Sequence, residues 1–488
     1  MSRNRLLACI LAMLLLCSCG KGAAETNETI SQNTETAPES VEETMDPATI
    51  NDIPADLSFH GADFKMLSPD EYDGISFAEE QTGEVLNDAK YQMELDTEER
   101  LDVVITEVPS KFWEMQASVI NLCMSGDATY SSIVMMDRFA LACAYENCFF
   151  SLQDVDNVDL SKLYWGGNLS QALSVGDKLF FGIGAFNLRS YTNTACVYYN
   201  GTLGENLGVD SPVEAVHNGT WTLDAFKSYE NAATTDLNGD GVMDENDRYT
   251  YGSSATRSLG AQFWIACDLS LISKDTSGIP VFTATTDEKL YDVLNYTYQL
   301  LFHSGNRLDL EKTDGDKYTS ISYFVAGQEL LNVGTFLYVT RELRDMEDNY
   351  TILPMPKYNE TQEQYYCRTF DPMYAMVPIT AVDPAMSGAV LEYLSYTAYH
   401  NLVPAYIETS LQEKYSRDQD SVEFIQLAFD GRRVDIAELL LFDVFGDQYI
   451  YDNVMQKADF GWTSYLESKQ KVIESALEKY INLANSEG

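Results

Sequence analysis

Positive charge is what this chain has least of. Against 76 Asp and Glu stand 31 Lys and Arg and four His, a net charge of −45. A surface so acidic repels a phosphate backbone, which excludes nucleic acid as a partner. It also disfavours strongly anionic ligands and anionic lipid surfaces, and no local basic patch reverses this. Cysteine is sparse too, with nine in 488 residues and no CxxC pair, so a disulfide-dense small scaffold is excluded. There is no G-x-x-x-x-G-K-[ST] phosphate loop, no H-E-x-x-H and no G-x-S-x-G, so the chain does not bind ATP or hydrolyse substrates by those devices. Gly182-Ile183-Gly184 lacks the third glycine of a dinucleotide loop. His60, His217, His303 and His400 are scattered singly and read as structural. There is no internal repeat, and no Pro/Gly linker cuts the chain in two.

What is present is enough apolar matter to fold. The apolar share is 45% and the aromatic share 12%, so the chain as a whole is not disordered. Its 488 residues suggest two or three domains. The start is different. Arg3 and Arg5 precede an apolar run of 11 residues, Leu6 to Leu16, too short to span a bilayer and suited to a secretory signal. Leu16-Cys17-Ser18-Cys19 resembles the lipobox of a bacterial lipoprotein. The resemblance implies a signal peptide over residues 1–18, cleavage before Cys19 and acylation of its thiol, with palmitate-type chains tying the chain to a membrane. Six cysteines then remain: Cys123, Cys143, Cys148, Cys196, Cys267 and Cys367. An even number permits disulfides in an exported protein; the favoured reading is buried small apolar side chains. Residues 19–57 are rich in Glu, Thr, Asn, Ala and Pro without apolar period, an acidic disordered tether.

The folded body alternates strands and helices. Strands are predicted over 62–67, 101–108, 132–136, 179–183, 196–199 and 329–333. Ser132–Met136 is continuously apolar, as in a parallel strand covered on both faces, and Asp137 and Arg138 stand at its carboxyl end. Residues 84–100 and 465–484 read as helices, and Thr222 as the cap of another. The alternation argues for α/β layers. A body this large needs more than one core, and without a linker the chain must cross between lobes more than once.

The sharpest motif is Asp236-Leu-Asn238-Gly-Asp240-Gly241-Val242-Met-Asp244-Glu-Asn-Asp247. It fits the calcium loop D-x-[DN]-x-[DN]-G. Side-chain oxygens of Asp236, Asn238, Asp240, Asp244 and Asp247 and the Val242 carbonyl occupy the ligand positions. Crowded carboxylates repel unless a hard cation neutralises them, so a structural Ca2+ is expected. The twelfth residue is Asp, as in dockerin-type loops.

Several segments in order resemble one family. They are Gly83–Ala89, Ile133–Phe139, Gly176–Phe180 through Val197–Asn200, Trp221–Phe226, and Val333–Phe336 followed by Ile352–Pro356. Together they are similar to extracellular solute-binding lipoproteins of ABC importers, family 1, the carbohydrate-binding kind. The resemblance implies an α/β two-lobe periplasmic-binding-protein-like fold (type II), the lobes joined by crossover strands. It places 58–185 and 357–402 in the first lobe, and 186–356 and 403–488 in the second, which carries the calcium-type loop 236–247. Asp137 and Arg138 would contact solute hydroxyls. Phe336 stands where the family often has a stacking Trp, and Asn187 takes the place of an acidic crossover residue. Trp165, Tyr338 and Tyr374 are further ligand-binding candidates.

The function implied is capture of a solute, a sugar or oligosaccharide, by a monomer anchored outside the cytoplasm and served by ABC permease and ATPase subunits. No catalytic residue is assigned. Two rivals stand beside this reading. One is a surface-anchored polysaccharide-active enzyme: 76 acids leave room for the paired carboxylates of glycosidic hydrolysis, although the sequence does not locate them. The other is a scaffold using the dockerin-like loop.

Overall fold

Two four-stranded sheets organise the body. In chain order the strands are β1 (Ala62–Pro69), β2 (Val103–Ser110), β3 (Ser132–Met136), β4 (Ala195–Asn200), β5 (Tyr249–Ser253), β6 (Ile272–Lys274), β7 (Pro280–Phe282), β8 (Glu329–Thr335), β9 (Tyr350–Leu353), β10 (Cys367–Arg368), β11 (Met373–Met376) and β12 (Arg432–Arg433). The first sheet runs β11-β3-β1-β2, with β1 parallel to β2 and β3 and with β11 antiparallel to β3. The second runs β5-β8-β4-β9, with β4 antiparallel to both neighbours and β5 parallel to β8. Two-stranded pairs β6-β7 and β10-β12 complete the strands.

The computed structural model describes residues 46–72, 74–254, 259–315, 319–344, 346–412, 419–441 and 461–485. Asp46–Gly488 forms one compact unit. The expected signal segment, Cys19 and the tether up to residue 45 lie outside the described residues. No described helix is long and apolar enough to cross a membrane.

Local physics explains the first sheet. All five residues of β3 are buried, as the apolar run requires. At the sheet's edge, β2 buries Val103 and Ile105 and exposes Val104. Between β1 and β2 the helix Val85–Leu101 starts where the Glu84 carboxylate accepts the Asn87 N–H (3.2 Å) and stops where Asp102 turns left-handed at φ 52°. Met93, Thr97 and Leu101, four residues apart, are its buried stripe. Farther on, Thr222 does cap a helix, Leu223–Lys227, by accepting the Ala225 N–H (3.3 Å). The C-terminal helix runs Trp462–Asn485 and buries Leu466, Ile473, Leu477 and Tyr480.

All strands of the first sheet lie within 58–185 and 357–402, and all of the second within 186–356. The chain passes from the first sheet to the second between β3 and β4, and returns between β9 and β11. The C-terminal helix packs against both β7 and the helix Asp137–Tyr145 that follows β3.

Three expectations differ from the structure. The strand expected at 101–108 is shifted, because Leu101 still belongs to the helix. Residues 179–183 form no strand; only Gly182 bridges, to Ala375. On either side of that bridge the backbone groups are spent elsewhere: the Leu179 carbonyl accepts the Leu152 N–H (2.7 Å) and the Ile183 N–H donates to the Ser170 hydroxyl (2.9 Å), and Gly182 passes so close to the Trp165 ring that a Cβ there would sit 2.7 Å from it. Residues 46–57, expected in the tether, lie on the body. Ile53 is buried, Arg100 donates to the carbonyls of Ile53, Pro54 and Leu57, and Lys162 pairs with Asp52 at 2.5 Å.

Candidate functional site

In open α/β sheets ligands collect beyond the carboxyl ends of parallel strands. In the first sheet those ends are the loop after β1, the segment after β2 and the start of the helix Asp137–Tyr145 after β3. An aromatic cluster stands there. Tyr72 meets Phe112 at 4.7 Å between ring centroids. Phe112 meets Trp113 at 4.8 Å and Phe139 at 5.0 Å. Phe112 is the buried anchor, while Tyr72 is 45% and Trp113 62% exposed. A large indole left exposed at the mouth of a strand end is a candidate for ligand contact. The Arg138 guanidinium lies 5.3 Å from the Trp113 ring and 4.7 Å from the Phe139 ring, holding the aromatic faces by cation–π attraction.

A group of acids adjoins Arg138. Asp137 is buried, and its carboxylate accepts the Arg138 N–H at 2.5 Å. Burial first, and then the charges of Asp371 and Glu438, push its carboxyl up to about 8. Glu438 takes the Arg368 guanidinium at 2.6 Å. Burial outweighs that cation and raises Glu438 to about 7. Tyr374 lies in β11 opposite Met135. Its hydroxyl is pushed well up by burial and by the charges of Asp137, Asp371 and Glu438. Asp137, Arg138 and Tyr374, named from sequence, are therefore brought together.

The other candidates sit differently. Asn187 is buried and donates to the Gly74 carbonyl (3.2 Å) and the Ser76 hydroxyl (3.3 Å). It positions the loop after β1 from beneath. Its neighbour Arg189 does the same with more force: Nη1 donates to the Tyr72 carbonyl (2.8 Å) and Nε to the Asp371 carbonyl (2.7 Å). Trp165 has no exposed surface, and its N–H donates to Glu392 (2.6 Å). Its indole also packs on Gly182, so no face of it is open to a ligand in this conformation. Phe336 is likewise enclosed, 4.8 Å from Phe429. Tyr338 is half-buried and donates its O–H to the Ser254 carbonyl (3.0 Å).

Sequence reading missed Tyr72, Phe112, Trp113, Phe139, Arg189, Asp371 and Glu438. Trp113, three residues beyond the end of β2, and Phe139, directly after Asp137-Arg138, carried a usable signal in their distance from strand ends. Arg189 and Asp371 carried none, since only the fold brings them there. A separate groove of about 720 Å³ opens beside the helix Met115–Ser125. It is lined by Leu67 near the end of β1, by Val108, Pro109 and Ser110 at the end of β2, and by Asn121 and Met124 among others; Tyr72, Trp113, Asp137 and Arg138 are not in its lining.

The acidic loop 236–247 leads into β5 of the second sheet. Asp236 accepts the N–H groups of Gly239 (2.6 Å) and Gly241 (2.8 Å), which hold its carboxyl below the usual range. Asn238 accepts from Asp240, Asp240 from Val242, and buried Asp247 from Leu237 and Asp244. Gly241 turns at φ 82°, as the calcium-loop pattern requires. The donors are hard oxygens of the kind calcium takes. Among the described residues no three His, Cys, Asp or Glu side chains are gathered as a ready metal-holding group.

No family model matches the chain, and no curated protein does. Solved structures do. MalE, the sugar-binding protein of Xanthomonas citri, superposes with a TM-score of 0.58 at 11% identity, covering 88% of this chain and 100% of its own. UspC of Mycobacterium tuberculosis gives 0.55 at 12%, covering 85% and 100%. A Rhizobium etli sugar transporter in an open conformation also gives 0.55 at 12%, covering 88% and 100%. At this identity the likeness establishes the fold: the chain has the α/β two-lobe fold of periplasmic-type binding proteins.

The raised carboxyls give stability a definite pH dependence. Asp137 and Glu438 hold protons in the folded state up to about 8 and about 7, where the unfolded chain has released them above its values of 3.8 and 4.5. The folded form therefore binds more protons across that window. Their contribution is full below it and is lost as pH rises through it. The thermal midpoint is expected to be lower at about pH 8 than at about pH 5.5, and Asp137→Asn to reduce the drop, with Glu329, Glu94 and Glu392, raised by burial to about 8, 7 and 7, carrying part of the rest. A wild-type midpoint that is level or rises over this range contradicts the assignment.

Proposed function

We propose that this protein captures a neutral solute, a carbohydrate of the oligosaccharide class, in the crevice beyond β1, β2 and β3. It releases the solute unchanged to an ABC-type importer whose permease and ATPase are other chains. The observation that carries the reading is the exposed Trp113 ring, 5.3 Å from the Arg138 guanidinium, whose own backbone N–H is held by the buried Asp137 carboxyl. A sugar offers an apolar C–H face and a rim of hydroxyls. An aromatic plate covers the first, and carboxyl and guanidinium groups bond the second. The net charge of −45 agrees with an uncharged guest. A cyclo/maltodextrin-binding protein complexed with maltotetraose shares the fold, with a TM-score of 0.55 at 12% identity. The fold also serves other chemistry: UgpB of M. tuberculosis, in complex with glycerophosphocholine, gives 0.53 at 13%. Capture then works by population shift. A solute that touches both lobes favours the closed arrangement, and only that differential affinity closes it.

Two further parts belong to the proposal. Acylation of Cys19 would anchor the body outside the cytoplasm. The loop 236–247 would take one Ca2+ through Asp236, Asn238, Asp240, Asp244, Asp247 and the Val242 carbonyl, because five carboxylates in twelve residues, four of them at ligand positions, leave charge that backbone N–H groups only partly offset.

Each part has its own measurement. In a thermal-shift panel of neutral oligosaccharides, with glycerophosphocholine included, a ligand at a hundred times its dissociation constant adds about 2.7 kcal/mol. Trp113→Ala should weaken the binding about tenfold, the equivalent of about 1.4 kcal/mol. Cleavage of the sugar during incubation rejects capture in favour of an enzyme. For the loop, a chelator should lower the melting temperature of the wild type and leave Asp236→Ala unmoved; equal midpoints with and without chelator remove the metal from the proposal. For the anchor, Cys19→Ala should shift the protein from the membrane fraction to the soluble one, and an unchanged distribution rejects acylation.

A further inference from the structure

The six cysteines of the described residues are all thiols in this structure, but they are not equivalent. Cys123 lies near the end of the helix Met115–Ser125, and Cys148 follows the helix Asp137–Tyr145. Between the second helix and Cys148 the chain turns sharply at Asn147, which is left-handed at φ 55°. The turn lets the Cys148 N–H return to the Cys143 carbonyl (3.2 Å). It also brings the Cys148 carbonyl within 3.6 Å of the Cys123 sulfur. The Cys123 sulfur is thus directed at the Cys148 backbone, while the Cys148 sulfur reaches the Glu146 carbonyl (4.0 Å), and the two side chains lie close enough that each shifts the other's pKa, Cys123 down and Cys148 up.

Cys143, the third thiol of this corner, is turned elsewhere. Its sulfur reaches the Gln116 carbonyl (3.7 Å), at the opposite end of the first helix. Cys196 and Cys367 are both fully buried, and the Cys367 sulfur accepts the Met355 N–H (3.5 Å). Cys267 is buried, with no other cysteine among the groups that shift its pKa. One pair is therefore singled out by contact and access: Cys196 and Cys367 also feel each other but are both buried, whereas Cys123 is partly exposed.

We propose that Cys123 and Cys148 are a disulfide-forming pair that clasps the helix Met115–Ser125 to the turn after Asp137–Tyr145. The oxidant is a small-molecule or protein disulfide. The Cys123 thiolate attacks one of its sulfurs, forming a mixed disulfide and expelling one thiolate. Cys148, losing its proton, then displaces the second sulfur. Two protein thiols become one S–S bond, and the oxidant's S–S bond becomes two thiols. The bond closes a loop whose ends are 25 residues apart in sequence, which limits the unfolded chain. It also ties together, at their far ends, the two helices whose near ends carry Trp113 and Asp137-Arg138. The proposal holds whatever solute the crevice takes, and its test does not involve solute.

The experiment treats purified full-length protein with oxidised glutathione, alkylates under denaturing conditions, then reduces, labels with a second reagent and reads each cysteine by peptide mass. The second label is expected on Cys123 and Cys148 alone, with the unreduced digest containing their linked peptides. First label on both after the oxidant, or a link from either to Cys143, overturns the proposal. A second readout guards against artefacts of oxidation. Reduction should lower the thermal midpoint of the wild type and of Cys143→Ser by on the order of a few degrees, and should do nothing to Cys123→Ser. An equal shift in Cys123→Ser also overturns it.

Discussion

The crevice depends on one buried cation. Arg189 has 6% of its surface exposed, and it spends its guanidinium on two backbone carbonyls, those of Tyr72 and Asp371. Both residues are left-handed without being glycine, at φ 60° and φ 40°. Each such conformation costs on the order of 1–3 kcal/mol and persists only where surrounding structure imposes it. Charge-assisted hydrogen bonds to carbonyls contribute about 1.5–3 kcal/mol each, enough to hold two strained turns that nothing local would keep. The consequence is spatial. The turn at Tyr72 delivers its ring to Phe112 and so supports Trp113. The turn at Asp371 delivers a carboxylate to the side of Asp137. Asn187 works beside Arg189 on the same loop through Gly74 and Ser76. One short segment between β3 and β4 thus shapes both walls of the site.

How much of this could be read from the sequence follows from the range of the forces involved. Local signals were legible. The five-residue apolar run of β3, the Thr222 cap and the stripe of the C-terminal helix are visible within a few residues, and each is found where it was expected. Asp137-Arg138 at a strand end was legible for the same reason. Trp165 was not: an indole beside Tyr looks the same in sequence whether it lines a cleft or packs against a glycine. Only the approach of Gly182 and the carboxylate of Glu392, 227 residues away, decide its burial. Arg189 and Asp371 are farther still from legibility, because their value lies in carbonyls brought from 117 and 182 residues off. The limit of the tether was misplaced for a related reason. Residues 46–57 have no apolar period, yet three carbonyls from that stretch meet the Arg100 guanidinium.

The electrostatics of the crevice follow from burial more than from the chain's acidity. Arg368 and Glu438 form a close pair with almost no water around the guanidinium. Even so, desolvation is the larger effect on Glu438 and raises it. Around Asp137 the same penalty is compounded by Asp371 and Glu438. A carboxyl raised to about 8 is mostly protonated at neutral pH, so it can donate a hydrogen bond as well as accept one. Arg138 donates only.

On the proposed function, a site with an acid that both donates and accepts, a cation that donates and an exposed indole would suit neutral polyols with apolar faces. A hydroxyl can satisfy either role at the acid, and a C–H face needs neither. An anionic guest would meet Arg138 but would also meet the charges that already hold Asp137 in its neutral form. A cationic guest would have to ionise Asp137 against burial. The neutral solute is the one that asks the least of this arrangement, and that ranking comes from the desolvation of one carboxyl rather than from the net charge of −45, most of which belongs to the exposed surface.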